Sequence, residues 1–197
     1  KLLQNEGWEI GLHGSINSYQ DQDLLSREKD LLIKNTSCSI QGIRQHYLRL
    51  DIYKTWQIHE NLGFSYDTTL GFNERIGFRA GIAFPFEPYN FQTERKFNLL
   101  ELPMTIMDGS LFSSNGEKLD YYKAVQRCNK LFSNIKQTEG LLVINFHPHY
   151  HQYSYPEWWT MYEYILNYLS ESSVWVATGK EIVDWWSERK KKLYITT

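Results

Sequence analysis

The chain has 197 residues, enough for one domain with a sizeable core, and its 21 Lys and Arg against 23 Asp and Glu give a formal net charge of −2. That balance argues against a nucleic-acid partner, which needs a basic face, and no hydrophobic run approaches the length of a membrane span. Cys38 and Cys128 are far apart with no second thiol near either, so neither a disulfide framework nor a zinc knuckle is expected and a reducing compartment is favoured.

Lys1 to Gly7 reads as the end of a helix already under way. No signal peptide is visible, which favours the cytoplasm, while the start at Lys1 without Met suggests that an upstream part, and a targeting signal with it, has been removed. In Gly7 to Asn17, Trp8, Ile10 and Leu12 alternate with Glu9 and Gly11, the period of a half-buried strand, and the run delivers His13 to a loop opened by small residues. Asp21 to Lys34 carries Leu24, Leu25, Leu31, Leu32 and Ile33 among charges and predicts a helix with one apolar stripe. Ile40 to Asp51 reads as a strand with Arg44, His46 and Arg49; buried in a parallel sheet, those charges would need partners.

A short helix over Lys54 to Leu62 stops at Gly63, and Phe64 to Leu70 follows as a strand. Phe72 to Asn90 is rich in Gly, Pro and Phe and predicts an ordered loop packed by its aromatics. Leu99 to Met107 reads as a strand and Lys118 to Lys136 as a long helix. Leu141 to Phe146 is a continuous apolar run, expected as a fully buried parallel strand, and it ends in His147, His149 and His151 at alternate positions. Ser154 to Glu157 has capping-box spacing and starts a helix through Leu169. Val174 to Ala177 reads as a short strand, and Thr178 to Glu181 is a second capping box opening a helix through about Arg189. The basic run Arg189 to Lys192 suits the last turn of that helix. Strands alternating with helices, with His and Arg at strand ends, predict an α/β fold of βα units, a barrel or an open sheet. The aromatic content of 16% suits its thick interior or a sugar-stacking cleft.

Glu9-Ile10-Gly11-Leu12-His13, Arg44-Gln45-His46-Tyr47, Tyr66-Asp67 and Phe146-His147, in this order, together with the closing helix bearing Trp185-Trp186, resemble the motif series of the polysaccharide deacetylase family, also called NodB-homology or carbohydrate esterase 4. The resemblance spans the chain as a single domain, residues 1–197. It implies a distorted (β/α) barrel, incomplete at the N-terminus, and metal-dependent hydrolysis of an N-acetyl or similar acyl group on a carbohydrate, in cell-surface polysaccharide metabolism.

The resemblance assigns His13 to the first histidine of a His-x-x-x-His metal motif, whose second position here is Asn17, a neutral amide and a poorer zinc ligand than imidazole. His46 stands where the family's Arg-x-Pro-Tyr motif has proline and is the candidate to supply the missing nitrogen. Arg44 matches the arginine that orients the catalytic aspartate, Tyr47 the residue whose N–H helps form the oxyanion site, and His147 the general acid to the leaving amine. Asp67 and Arg79 are candidate supporting partners. The implied cofactor is a divalent metal, zinc first, with cobalt, nickel or manganese as substitutes. The family's aspartate pair, expected before His13, is not found in Lys1 to Gly7. That departure leaves a second expectation open, a scaffold that binds glycan without turnover, and a third, a barrel acting on a small amide.

Overall fold

The computed structural model describes residues 2–149 and 155–195, so the sequence readings at His151 and Ser154 lie outside the described residues. In chain order the first elements are α1 (Leu2–Asn5), β1 (Leu12–Gly14), α2 (Gln22–Thr36), β2 (Gly42–Gln45), α3 (Thr55–Asn61) and β3 (Tyr66–Asp67). Next come β4 (Tyr89–Asn90), β5 (Arg95–Lys96), β6 (Leu100–Glu101), β7 (Ile106–Met107) and α4 (Asp108–Phe112). The chain closes with α5 (Tyr121–Thr138), β8 (Ile144–Asn145), α6 (Pro156–Glu171) and α7 (Gly179–Ile195). These gather into two compact units, Lys1–Leu70 with Pro85–Leu102 and Ala177–Thr197, and Gly71–Phe84 with Pro103–Val176.

The first unit is built on a parallel sheet in the order β1, β2, β3, β6, with α2 crossing between β1 and β2 and α3 between β2 and β3. The register sets His13 beside Arg44, Ile43 beside Asp67, and Asp67 beside Glu101. Parallel strands all end on one side, which is why polar residues from distant stretches collect at that rim. α2 begins where the Asp21 carboxylate accepts the Leu24 N–H and ends at Ser37, in the left-handed region at φ 58°. Leu12, Leu25, Ile40, Ile43, Ile58 and Phe64 form one core cluster, and Trp56, Leu70, Phe97 and Leu99 a second.

The capping box at the start of α7 is present: Thr178 N–H donates to Glu181 Oε2 at 2.8 Å and Glu181 N–H to Thr178 Oγ1 at 3.2 Å. Glu9 ties this helix to the sheet, accepting the Tyr66 hydroxyl at 2.8 Å and the Lys180 N–H at 2.9 Å. The Tyr66 ring lies so close to Gly42 and Gly179 that a Cβ would stand 2.1 Å and 2.4 Å from its Cζ.

In the second unit, Ala124, Cys128, Leu131 and Ile135 of α5 recur at helical spacing and pack with Met161 and Ile165 of α6 around Ile106, Leu111 and Phe112. β7 and β8 pair in parallel. The loop expected over Phe72 to Asn90 divides between the units and ends in β4: Phe78 packs against the core of the second unit and Phe86 against the Trp56 cluster of the first, while the Arg75 guanidinium lies 4.0 Å from the Phe72 ring centre.

The expected helices are present, with ends shifted by a few residues; the strands are shorter than their apolar patterns. The strand expected over Ile40 to Asp51 stops at Gln45, because His46 to Leu48 form a tight turn in which Tyr47 and Leu48 take left-handed φ values of 54° and 51°. Leu99 to Met107 divides into β6 and β7 around Pro103, which has no N–H for a ladder. Leu141 to Phe146 is half-buried, not fully buried, and only Ile144–Asn145 pairs. Val174 to Ala177 is not a strand, and Val176 is 74% exposed. Trp8 precedes β1 and is 62% exposed. Among the described residues the strands make three separate sheets, and none closes on itself.

Candidate functional site

At the rim of the first unit, β1 and β2 bring two imidazoles together. His13 Nδ1 lies 3.0 Å from the Arg44 carbonyl oxygen and so carries a proton, and in the neutral ring its Nε2 is then an acceptor, 3.0 Å from His46 Nδ1. The rings meet edge to face with centroids 5.1 Å apart. The exposed Tyr47 ring packs against His46 at 4.4 Å. The Arg44 side chain turns the other way: its Nε donates to Thr68 Oγ1 at 2.9 Å and to the Thr68 carbonyl at 3.3 Å. Burial lowers its pKa against the opposing pull of Asp67 and Glu101. Asn17 is exposed, and its Oδ1 accepts from Arg49 Nη1 at 3.5 Å.

His147 belongs to the second unit. Its backbone N–H donates to Asp108 Oδ2 at 2.6 Å and its Nδ1 to Asp108 Oδ1 at 2.7 Å. Asp108 is fully buried at the start of α4, where Oδ1 also accepts the Gly109 N–H. Such double attachment fixes the ring's tautomer and orientation, and with Nδ1 engaged, proton transfer falls to Nε2. Sequence reasoning missed Asp108, because a Met-Asp-Gly step reads only as a turn. Arg79 donates to the Gly71 carbonyl at 3.3 Å, also in the second unit, while Asp67 lies in the first.

Below the rim of the first unit lies a buried polar layer, in which Gln45, His59, Asp67 and Glu101 are all fully buried; the sequence reading met Gln45 and Asp67 within motifs and missed His59 and Glu101. Glu101 accepts the Trp56 Nε1–H at 3.0 Å and the Leu70 N–H at 2.9 Å. Burial and the Asp67 charge push its pKa well above the ordinary carboxylate range.

No protein-family profile and no curated protein sequence matches the chain. Solved structures do. A Mycobacterium smegmatis protein described as a polysaccharide deacetylase matches 96% of this chain with TM-score 0.71 at 21% identity. Puue allantoinase matches 94% of it with TM-score 0.70 at 16% identity. The chain has the NodB-type deacetylase fold. It spans 66% of the first protein's length and 61% of the second's. At these identities the likeness is one of fold. What the NodB-type fold does here has to come from the residues.

Those residues fit a divalent metal only in part. Two imidazole nitrogens on one zinc, each about 2.0–2.1 Å from it, would stand about 3.3 Å apart in tetrahedral geometry. The His13–His46 spacing is close to that, and the Arg44 carbonyl holds His13 as an outer partner commonly holds a metal-binding imidazole. A catalytic zinc takes three protein ligands, however, and among the described residues no group of three or more His, Cys, Asp or Glu is gathered to hold an ion. The described residues of this NodB-type fold therefore do not complete a metal centre.

Proposed function

We propose that this protein is a hydrolase of C–N bonds that removes an acyl group from an amide, with an N-acetylated carbohydrate as the first substrate class. The observation that carries this reading is the His13–His46 pair, locked by the Arg44 carbonyl at the strand ends of a NodB-type fold. The two similar structures are described as a polysaccharide deacetylase and an allantoinase, and both names denote enzymes that cleave C–N bonds. In this reading the short parallel strands belong to a distorted barrel, and Tyr47 lends its N–H and exposed ring to the bound acyl sugar. Arg44 braces the rim of the first unit, and His147, held by Asp108 in the second, is the proposed acid to an amine, acting from Nε2. His13, His46 and Asn17 are the proposed donors for a divalent ion, zinc first. They need a further donor, and no chemical step is assigned to the ion.

Acetate release from chitooligosaccharides and from a peptidoglycan fragment, with and without added zinc, tests the reading. The expected result is release that falls at least 100-fold in His147→Ala and in His13→Ala, roughly the contribution of one general acid or one essential ligand. Release unaffected by either substitution overturns the assignment. The incomplete donor set favours a second reading, a scaffold that binds glycan without turnover; retention of the oligosaccharide with no acetate formed is its signature. Turnover of a small cyclic amide in place of the oligosaccharide would keep the hydrolase and change the substrate class.

A further inference from the structure

The buried layer under the His46 turn contains more titratable groups than the rim chemistry uses. Asp67 and Glu101 are register neighbours on adjacent parallel strands, both fully buried. Asp67 Oδ1 accepts the Thr69 N–H at 2.9 Å and also the Thr69 hydroxyl, and after burial itself the Asp67 charge is what raises the Glu101 pKa most. Two like charges set side by side away from water do not both ionise unless a cation compensates them, so one carboxyl of this register pair is expected to hold a proton.

The remaining charges decide where that proton sits. Arg44 faces the pair from β2, and Tyr66 adds a neutral phenol beside it. His59 comes from α3, its Nδ1 3.3 Å from Asp67 Oδ2 with neither atom aligned for a hydrogen bond. Gln45 Nε2 lies 2.9 Å from His59 Nε2, and the Ser18 hydroxyl, with one proton, is placed for both Gln45 Oε1 at 3.1 Å and the Ser15 carbonyl at 3.0 Å, so the amide fits either tautomer and it is the unaligned Nδ1 that points to a neutral ring. A neutral His59 leaves one positive charge, Arg44, to be balanced by one negative charge on the carboxyl pair. The alternative, two carboxylates with an imidazolium His59, has the same proton count and would need an aligned N–H to Asp67, which the 3.3 Å approach lacks.

The same groups anchor the residues before the rim turn. Gln45 N–H donates to Thr69 Oγ1 at 3.0 Å, its amide is held by His59 and Ser18, and the Arg44 side chain is held by Thr68. We propose that Asp67 and Glu101 share one proton as a buried acid–carboxylate pair, and that with His59 they are positioning residues for the turn that carries His46. This arrangement holds or fails whether or not the chain hydrolyses anything.

Infrared difference spectroscopy and nitrogen-15 NMR of the histidine rings test both parts. The full chain at neutral pH is expected to show the carbonyl band of one neutral buried carboxylic acid, absent in Glu101→Gln, and a neutral His59 ring. Absence of that band, its persistence in Glu101→Gln, or an imidazolium His59 overturns the shared proton, and these wild-type readings stand even if a variant fails to fold. For positioning, Asp67→Asn is expected to melt as a folded protein while the single tautomer of His46 becomes a mixture and the amide shifts of Tyr47 and Leu48 move. A folded Asp67→Asn variant whose His46 signals match the parent overturns the positioning role.

Discussion

Asp108 is a single carboxylate with three donors: the His147 backbone, the His147 ring and the Gly109 N–H. Exchanging it for Asn keeps the shape but puts an N–H where an acceptor is needed, leaving at least one buried donor unsatisfied at a cost of about 1–3 kcal/mol. Asp108→Asn should lower the unfolding midpoint accordingly and release the His147 ring from one tautomer, seen by nitrogen-15 NMR; an unchanged ring spectrum would mean that Asp108 does not set it. Asn17 gives the complementary experiment. Its side chain makes a long hydrogen bond to Arg49 at 3.5 Å, and its backbone carbonyl, which accepts the Gln20 N–H, is untouched by substitution, so changing it disturbs little. Asn17→His should tighten zinc binding by about tenfold or more, since imidazole is the better ligand. Calorimetric titration reads this directly, and equal affinities would remove position 17 from the donor set.

At the scale of elements, the Tyr66 ring is gripped by β2 and the first turn of α7. A methyl at Gly42 or Gly179 would press into the ring from 2.1 Å or 2.4 Å, and Tyr66 is held by Glu9 and cannot swing away. Overpacking of this kind costs about 1–3 kcal/mol, so Gly42→Ala and Gly179→Ala should each lower the melting temperature by about 2–10 °C in a chain of this size. Melting at the parent temperature would show that the grip is loose. Helices were the legible elements. The apolar stripe of Asp21 to Lys34 and the Thr178-Gly179-Lys180-Glu181 box are local signals, and local signals survive in the fold. Strand ends were not legible, because alternation marks which side chains face the core and not where a ladder finds its partner. Val174 to Ala177 has the composition of a strand and no strand pairing among the described residues. His13, Arg44 and His46 were readable as rim residues, whereas Asp108, His59 and Glu101 matter through contacts made across long sequence separations.

For the whole molecule, Glu101 links stability to pH. Its folded pKa stands well above the ordinary value of 4.5, so between the two the folded chain holds a proton that the unfolded chain releases. That stabilising contribution is complete below the ordinary carboxylate value and is lost as pH rises through the raised one. The slope is at most about 1.4 kcal/mol per pH unit for one proton. Denaturant midpoints measured from about pH 5 to 8 should fall with rising pH by this contribution, and Glu101→Gln should flatten it. An identical slope in the variant would place the linkage elsewhere.

The consecutive left-handed residues Tyr47 and Leu48 carry a cost of about 1–2 kcal/mol each that glycine would not incur. Glycine at position 47 would relieve that strain and remove the exposed ring with it. Tyr47 thus trades backbone ease for a stiff, sticky edge beside the imidazoles.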